Sequence, residues 1–518
     1  MCKRVISLIL SIALIATMLI GCGETEQKAN KKNKNAIEVE ISVWDSGLGI
    51  EWLEKMIENF NKKQTKYEVI YKASSNSNTV NAALGMENDD TVDIYMTYLA
   101  TSAYNKYMEP LDDILLNMKA EGESITIGEK FNEAYLLLEL KEDGHYYTLP
   151  FSGGVLGLFY NKKLFDKAGI KQLPRTTKEL EKVCDTLNSK GITPLCHFQG
   201  DGYYVYMTEA FMMQYSGKDY YLNNYYQCKD ENGNAPNKDV LLQKDGRYYA
   251  LKAYETFVTP QYTLLGSNTK SHTEIQTEFI YDAAAMMVNG SWISNEMKNV
   301  GGMDHVYEMK MPVISSIINR LTTVKNDAQL KKVITAIDQV TDGEKQVSDF
   351  ASGDGYLVDD VTVSAADWDI ISEARNTVAS NYAQHEVFIP TYSEAKEGAA
   401  EFLRYMYSDE GYQIFAETTQ SPLPIRLSTG ETVDTSKFSD IAKFQFETVD
   451  QALSFVDPGL ASKHRIFIDG GAKPMGNVLY ISKMSASDQR DRMSADEIWN
   501  NITKTIDEYF DDWVENIK

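Results

Sequence analysis

Two runs near the start of the chain each end in an aromatic ring beside a hydrogen-bonding group. IEVEISVW, residues 37 to 44, alternates apolar and polar side chains as a half-buried strand does, and it closes on Trp44 with Asp45 next. VDIYMTY, residues 92 to 98, reads as another strand and closes on Thr97 and Tyr98. Pockets for small polar molecules combine such apolar planes with a few oriented donors and acceptors. Core packing is the competing reading for Trp44, and a helix N-cap is the competing reading for Asp45. Between the two runs, Trp52, Leu53, Met56, Ile57 and Phe60 recur at helical spacing, YEVIY at 67 to 71 reads as a strand, and a helix is expected near 78 to 86. Strand, helix, strand, helix, strand predicts a parallel sheet with crossover helices. In such sheets ligands sit beyond the carboxyl ends of the strands, which is where Trp44, Asp45, Thr97 and Tyr98 fall.

Other chemistries lack their residues. There is no H-E-x-x-H, no G-x-S-x-G and no G-x-x-x-x-G-K. Asp230 to Asn234 imitates the start of a calcium loop, but Ala235 stands where glycine belongs and Leu241 where the bidentate glutamate belongs. The 6 histidines have no ligand spacing. No metal, cofactor or catalytic group is therefore expected. Carboxylate pairs for glycoside hydrolysis are set in space and leave no sequence signature, so an exported polysaccharide-degrading lipoprotein stands as the rival function. A surface adhesin is a third reading, with no repeats behind it.

The amino terminus implies export. Lys3 and Arg4 precede an apolar run from Val5 to Ile20, shorter than the roughly 20 residues a spanning helix needs, and Gly21 and Cys22 follow. Gly21-Cys22 resembles a bacterial lipobox, which implies a signal peptide over 1–21, a diacylglyceryl group on Cys22 and a flexible tether over 22–36. Two acyl chains hold a protein on a membrane where one gives only marginal binding. Loss of Lys3 and Arg4 takes the formal net charge from −24 to −26, which argues against nucleic acid or an anionic membrane surface as partner. Of the 5 cysteines, Cys184, Cys196 and Cys228 remain beyond Cys22, so at most one pair forms and buried free thiols are expected.

The stretch from Asp143 to Pro194, DGHYYTLPFSGGVLGLFYNKKLFDKAGIKQLPRTTKELEKVCDTLNSKGITP, has a strand pair, a Gly-Gly turn, an apolar strand ending at Asn161 and a helix opened by proline and threonine. It resembles the extracellular solute-binding protein family 1, sugar-binding lipoproteins of ATP-binding-cassette (ABC) importers, whose members carry a similar DG-x-Y-x-x-P … YN-x-x-x-F-x-x-AG-I … P-x-T-x-x-E-L string. TEFIYDAAAMMVNGSW at 277–292, MKMPV at 309–313 and AAEFLRYMYSDEGYQIFAE at 399–417 follow in the family's order, and VWD at 43–45 fits its first strand.

The resemblance implies an α/β, two-lobed, periplasmic-binding-protein-like fold with a hinge of three crossings and a ligand cleft between lobes. Lobe one is expected over 37–151 plus 390–422, and lobe two over 152–386 plus 425–518. Gly153 and Gly154 are the expected hinge, since glycine absorbs large dihedral changes. A sugar stacks its C–H face on an aromatic plane, which makes Trp44 and Trp292 the stacking residues, with Asp45, Tyr98 and Asp201 at the hydroxyls. The implied protein is a monomeric receptor on the outer face of a Gram-positive-type cell membrane. It would pass a carbohydrate to the permease subunits of an ABC importer; a non-sugar solute is the other ligand reading. The stretch 313–386 is longer than in compact relatives, 429–493 matches no familiar pattern, and the amphipathic helix ending the chain is expected to dock on a lobe.

Overall fold

The computed structural model describes residues 35–82, 84, 92–141, 143–197, 202–244, 246–457, 466, 483–485 and 491–518. The expected signal peptide, Cys22, Asp201 and part of 429–493 lie outside the described residues. In chain order the strands are β1 (Ile37–Trp44), β2 (Tyr67–Ser74), β3 (Val92–Thr97), β4 (Leu149–Pro150), β5 (Val155–Asn161), β6 (Met286–Gly290) and β7 (Val306–Met309). They continue with β8 (Ala351–Ser352), β9 (Gly355–Val358), β10 (Val361–Ser364), β11 (Thr377–Ser380), β12 (Glu386–Phe388) and β13 (Ser454–Val456).

The first sheet has the order β2-β1-β3-β12-β4. Val39, Ile41 and Val43 of β1 are fully buried, as the alternation predicts. Strand β1 runs parallel to β2 and β3, and helix Glu51–Lys63 covers the sheet with the five residues read from periodicity: Trp52, Leu53, Met56, Ile57 and Phe60. That helix is N-capped by Ile50, so Asp45 is not its cap. The second helix is shorter than expected, Ser77–Asn81. A single two-residue strand, β4, replaces the strand pair read near 143–150.

The second sheet has the order β13-β11-β5-β6, and β7 also pairs with β5. Strand β6 takes one edge of β5. On the other edge β11 pairs at Val155 and Leu156 and β7 pairs from Leu158 to Asn161, so that edge changes partner at Gly157. The long stretch after Val313 supplies helix Asp327–Thr341, the antiparallel meander β8-β9-β10, helix Ala365–Arg375 and then β11, which is integral to the sheet. Helix Ala495–Asn516 docks on this lobe against helices Lys238–Leu242 and Arg247–Phe257, and Trp499 meets Tyr248 edge to face at 5.8 Å. Cys184, Cys196 and Cys228 are buried and free.

The chain passes between the sheets three times. It leaves the first between β4 and β5, through residues 151–154, and returns between β11 and β12, through 381–385, so β12 joins the first sheet ahead of position 390. The third passage joins helix Asp409–Thr419, packed on Glu51–Lys63, to helix Asp440–Asp450, packed on β7.

Candidate functional site: the cleft between the lobes

The carboxyl ends of β1 and β3 face the second lobe across the crossings. Trp44, half-buried at the end of β1, lies flat against His385 of the second crossing, with ring centroids 4.9 Å apart and planes 16° apart. Asp45 is exposed, and its backbone N–H donates to Ser74 O at 2.9 Å. Its carboxyl is held above the usual carboxylate range by partial desolvation and then by nearby Glu54. Tyr98 is half-buried at the end of β3, where its carbonyl accepts from Asn81 Nδ2 at 2.8 Å.

Trp292 faces these groups from lobe two. It opens the short helix Ile293–Glu296 after β6 and is only 7% exposed. A Cβ on Gly290 would come within 2.3 Å of Trp292 Cη2, so the glycine of the Gly-Ser-Trp sequence is the seat of the indole ring. Tyr203 meets that ring edge to face at 5.4 Å. The indole N–H is buried and faces the Tyr203 hydroxyl without a hydrogen bond of good geometry. The Tyr203 hydroxyl is thus the indole's nearest polar neighbour, and an acceptor of better geometry would strengthen that contact.

The two lobes touch at this point. Asn295 Nδ2 donates to Gly47 O at 2.6 Å, and a Cβ on Gly47 would lie 3.1 Å from Trp292 Cβ. Gln384 Nε2 of the second crossing donates to the hydroxyl of buried Tyr206 at 2.6 Å. Trp44 and Trp292 therefore stand on opposite lobes beside residues that bridge the cleft. Asp201 lies outside the described residues.

All three passages meet at Gly153 and Gly154. Gly153 has φ of 103°, a left-handed conformation that favours glycine. Gly154 N–H donates to Asn381 Oδ1 at 2.9 Å, and Asn381 N–H donates to Gly154 O at 3.2 Å. Ser421 Oγ lies 3.1 Å from both Gly153 O and Ser291 Oγ. Ser291 adjoins Trp292, so the cleft aromatic is one residue from the contacts that join the three passages.

Sequence reasoning missed His385 and Gln384 as cleft and hinge groups. Each is placed by pairing between distant segments, and neither carries a local pattern. His385 is buried, and burial alone pushes its imidazole down to about 3, so it is neutral at physiological pH. Among the described residues no cluster of His, Cys, Asp and Glu could hold a metal ion.

Two α/β lobes joined by three passages around an aromatic cleft define a hinged binding protein. The model of the bacterial extracellular solute-binding protein family matches residues 46–308, just over half of the chain, and the chain belongs to that family. It is 22% identical over 290 residues to the multiple sugar-binding protein of Streptococcus mutans, covering 54% of this chain and 63% of that one. It is 27% identical over 158 residues to a protein of Brucella abortus named as a binding protein, covering 30% of this chain and 35% of that one. The chain thus spans less than two thirds of the length of these relatives. Among solved structures, apo RafE from Streptococcus pneumoniae aligns with a TM-score of 0.60 at 15% identity, covering 93% of this chain and 100% of that one. The solute receptor AcbH, described as exclusive for β-D-galactopyranose, aligns with a TM-score of 0.58 at 15% identity, covering 91% and 99%. RafE is also known in complex with raffinose. Among the described residues no helix is long and apolar enough to cross a membrane.

Proposed function

We propose that this protein is a lipid-anchored extracellular receptor that captures a carbohydrate between its lobes and delivers it to the permease subunits of an ABC importer. The observation that carries the reading is the pair of aromatic rings on opposite lobes, Trp44 and Trp292, beside residues that bridge the cleft. Aromatic planes take the C–H faces of a sugar while Asp45, Tyr98 and Asp201 meet its hydroxyls. Sugars named for the relatives and structural neighbours point the same way. Lobe one is then about 37–151 with the chain from 386 to 422, and lobe two the remainder of 152–518. The lobes turn about Gly153 and Gly154, and the ligand stabilises the closed form because it touches both. Cys22 carries the lipid.

Thermal-shift screening of the chain from residue 23 onward against sugars and oligosaccharides, with amino acids and peptides as controls, tests this. One narrow sugar set should raise the melting temperature, because a ligand that binds only the folded form stabilises it by mass action. Trp44→Ala should abolish the shift. No response to any sugar, or consumption of a glycan with time, would turn the assignment toward another solute or toward a glycoside hydrolase.

A further inference from the structure

The second sheet contains a built polar site away from the cleft. At Gly157 the edge of β5 passes from β11 to β7, and a cavity of about 20 Å³ opens at the fork, lined in part by Gly157, Glu308, Lys310, Arg375, Asn376 and Thr377. That volume suits one atom-sized occupant. Arg375 is 9% exposed; its Nε and Nη2 donate to Asp338 at 2.7 and 3.1 Å, while its Nη1 is buried and has no partner. Lys310 Nζ donates to Gln451 Oε1 at 2.7 Å and to Asn376 Oδ1 at 3.3 Å. An ammonium has three donors, so one is left over.

Among the charges acting on Lys310, the Arg375 guanidinium is the largest. Asp338 is shared between Arg375 and Arg175, whose Nε donates to it at 2.9 Å. Glu308 Oε2 accepts from Gln445 Nε2 at 2.6 Å, and the missing side chain at Gly157 makes room for its other oxygen. Burial pushes the Glu308 carboxyl up to about 8, which keeps it neutral at physiological pH. Burial lowers the Lys310 ammonium's pKa and Arg375 repels its charge further, while Asp338, Asp342 and Glu447, each singly a smaller influence than Arg375, attract it.

We propose that this fork is a binding site for a single monatomic anion, a halide, held between Lys310 and the free N–H of Arg375. A halide there satisfies a buried donor and separates two like charges. Water would accept the same hydrogen bonds without offsetting the repulsion. The site is independent of the cleft and of the transported solute.

Crystals of the wild-type protein grown in or soaked with sodium bromide should show an anomalous peak between Lys310 Nζ and Arg375 Nη1. In solution, sodium bromide should give a saturable rise in melting temperature over sodium gluconate at equal ionic strength, and Lys310→Met should lose that difference. A fork that holds only water in bromide crystals would overturn the proposal, as would a bromide-specific shift of the same size in Lys310→Met. The crystal experiment needs no variant, so it decides the matter even where Lys310→Met folds poorly.

Discussion

Two buried titratable side chains make stability depend on pH in opposite directions. His385 titrates near 3 in the folded protein against 6.5 ordinarily, so as pH falls below 6.5 the unfolded chain takes up the proton first and stability is lost down to about pH 3. Glu308 titrates near 8 against 4.5 ordinarily, so between those values the folded chain holds the extra proton and stability falls as pH rises. Above about pH 8 the Glu308 contribution is constant. Glu308→Gln should therefore flatten the decline from mildly acidic to alkaline pH and raise stability near pH 8 by about 2 kcal/mol, a discounted share of the 1.36 kcal/mol per pKa unit that linkage allows. His385→Phe keeps a ring against Trp44 and should flatten the acid limb alone. Denaturant unfolding across pH at constant salt measures both. An unchanged alkaline slope in Glu308→Gln would show that the carboxyl is not held neutral. Trp292 is a poorer probe of binding than Trp44, because truncating so buried a ring costs about 3–5 kcal/mol of stability whether or not it touches ligand.

At the level of elements, the first crossing is held by shape. A Cβ on Gly154 would sit 1.8 Å from Ser291 Oγ and 2.9 Å from Ser291 Cβ, so Gly154→Ala must push β5 and the Trp292 segment apart. It should cost on the order of 2–3 kcal/mol, the range of overpacked core sites. Adding Ser291→Ala removes the closer of the two clashes and should recover part of that loss in a double-mutant cycle. Strict additivity would mean that the two residues do not meet. The same region shows what the sequence could convey. Strands β1, β2 and β3 are long enough to display alternation, and the helix between the first two has an amphipathic face, so the parallel half of the first sheet and the positions of Trp44 and Tyr98 were legible. Strands β4, β11, β12 and β13 have two to four residues each and no periodicity to read. Their places depend on partners far along the chain, as when β12 inserts antiparallel between β3 and β4. His385 was invisible for the same reason. Gly290 was legible only as part of a family motif; its physical reason, a seat for the Trp292 ring, needed coordinates.

For the whole molecule, charge and function pull against each other. A body of formal net charge −26 after loss of residues 1–21 is repelled by an anionic membrane surface, yet a receptor serves an importer only where the importer is. The proposed lipid on Cys22 would resolve this, because two buried acyl chains outweigh a repulsion that salt screens within about 8 Å. The expected tether is polar and locally basic, and it would let the lobes reach the permease while fixing a high effective concentration beside it. Full-length protein made in a Gram-positive-type host should therefore fractionate with the membrane, and Cys22→Ala should move it to the soluble or secreted fraction. Sugar-induced melting shifts in the released protein should be unchanged, since the proposed cleft and the proposed anchor share no residues. Membrane retention of Cys22→Ala would mean that something other than this thiol holds the receptor in place.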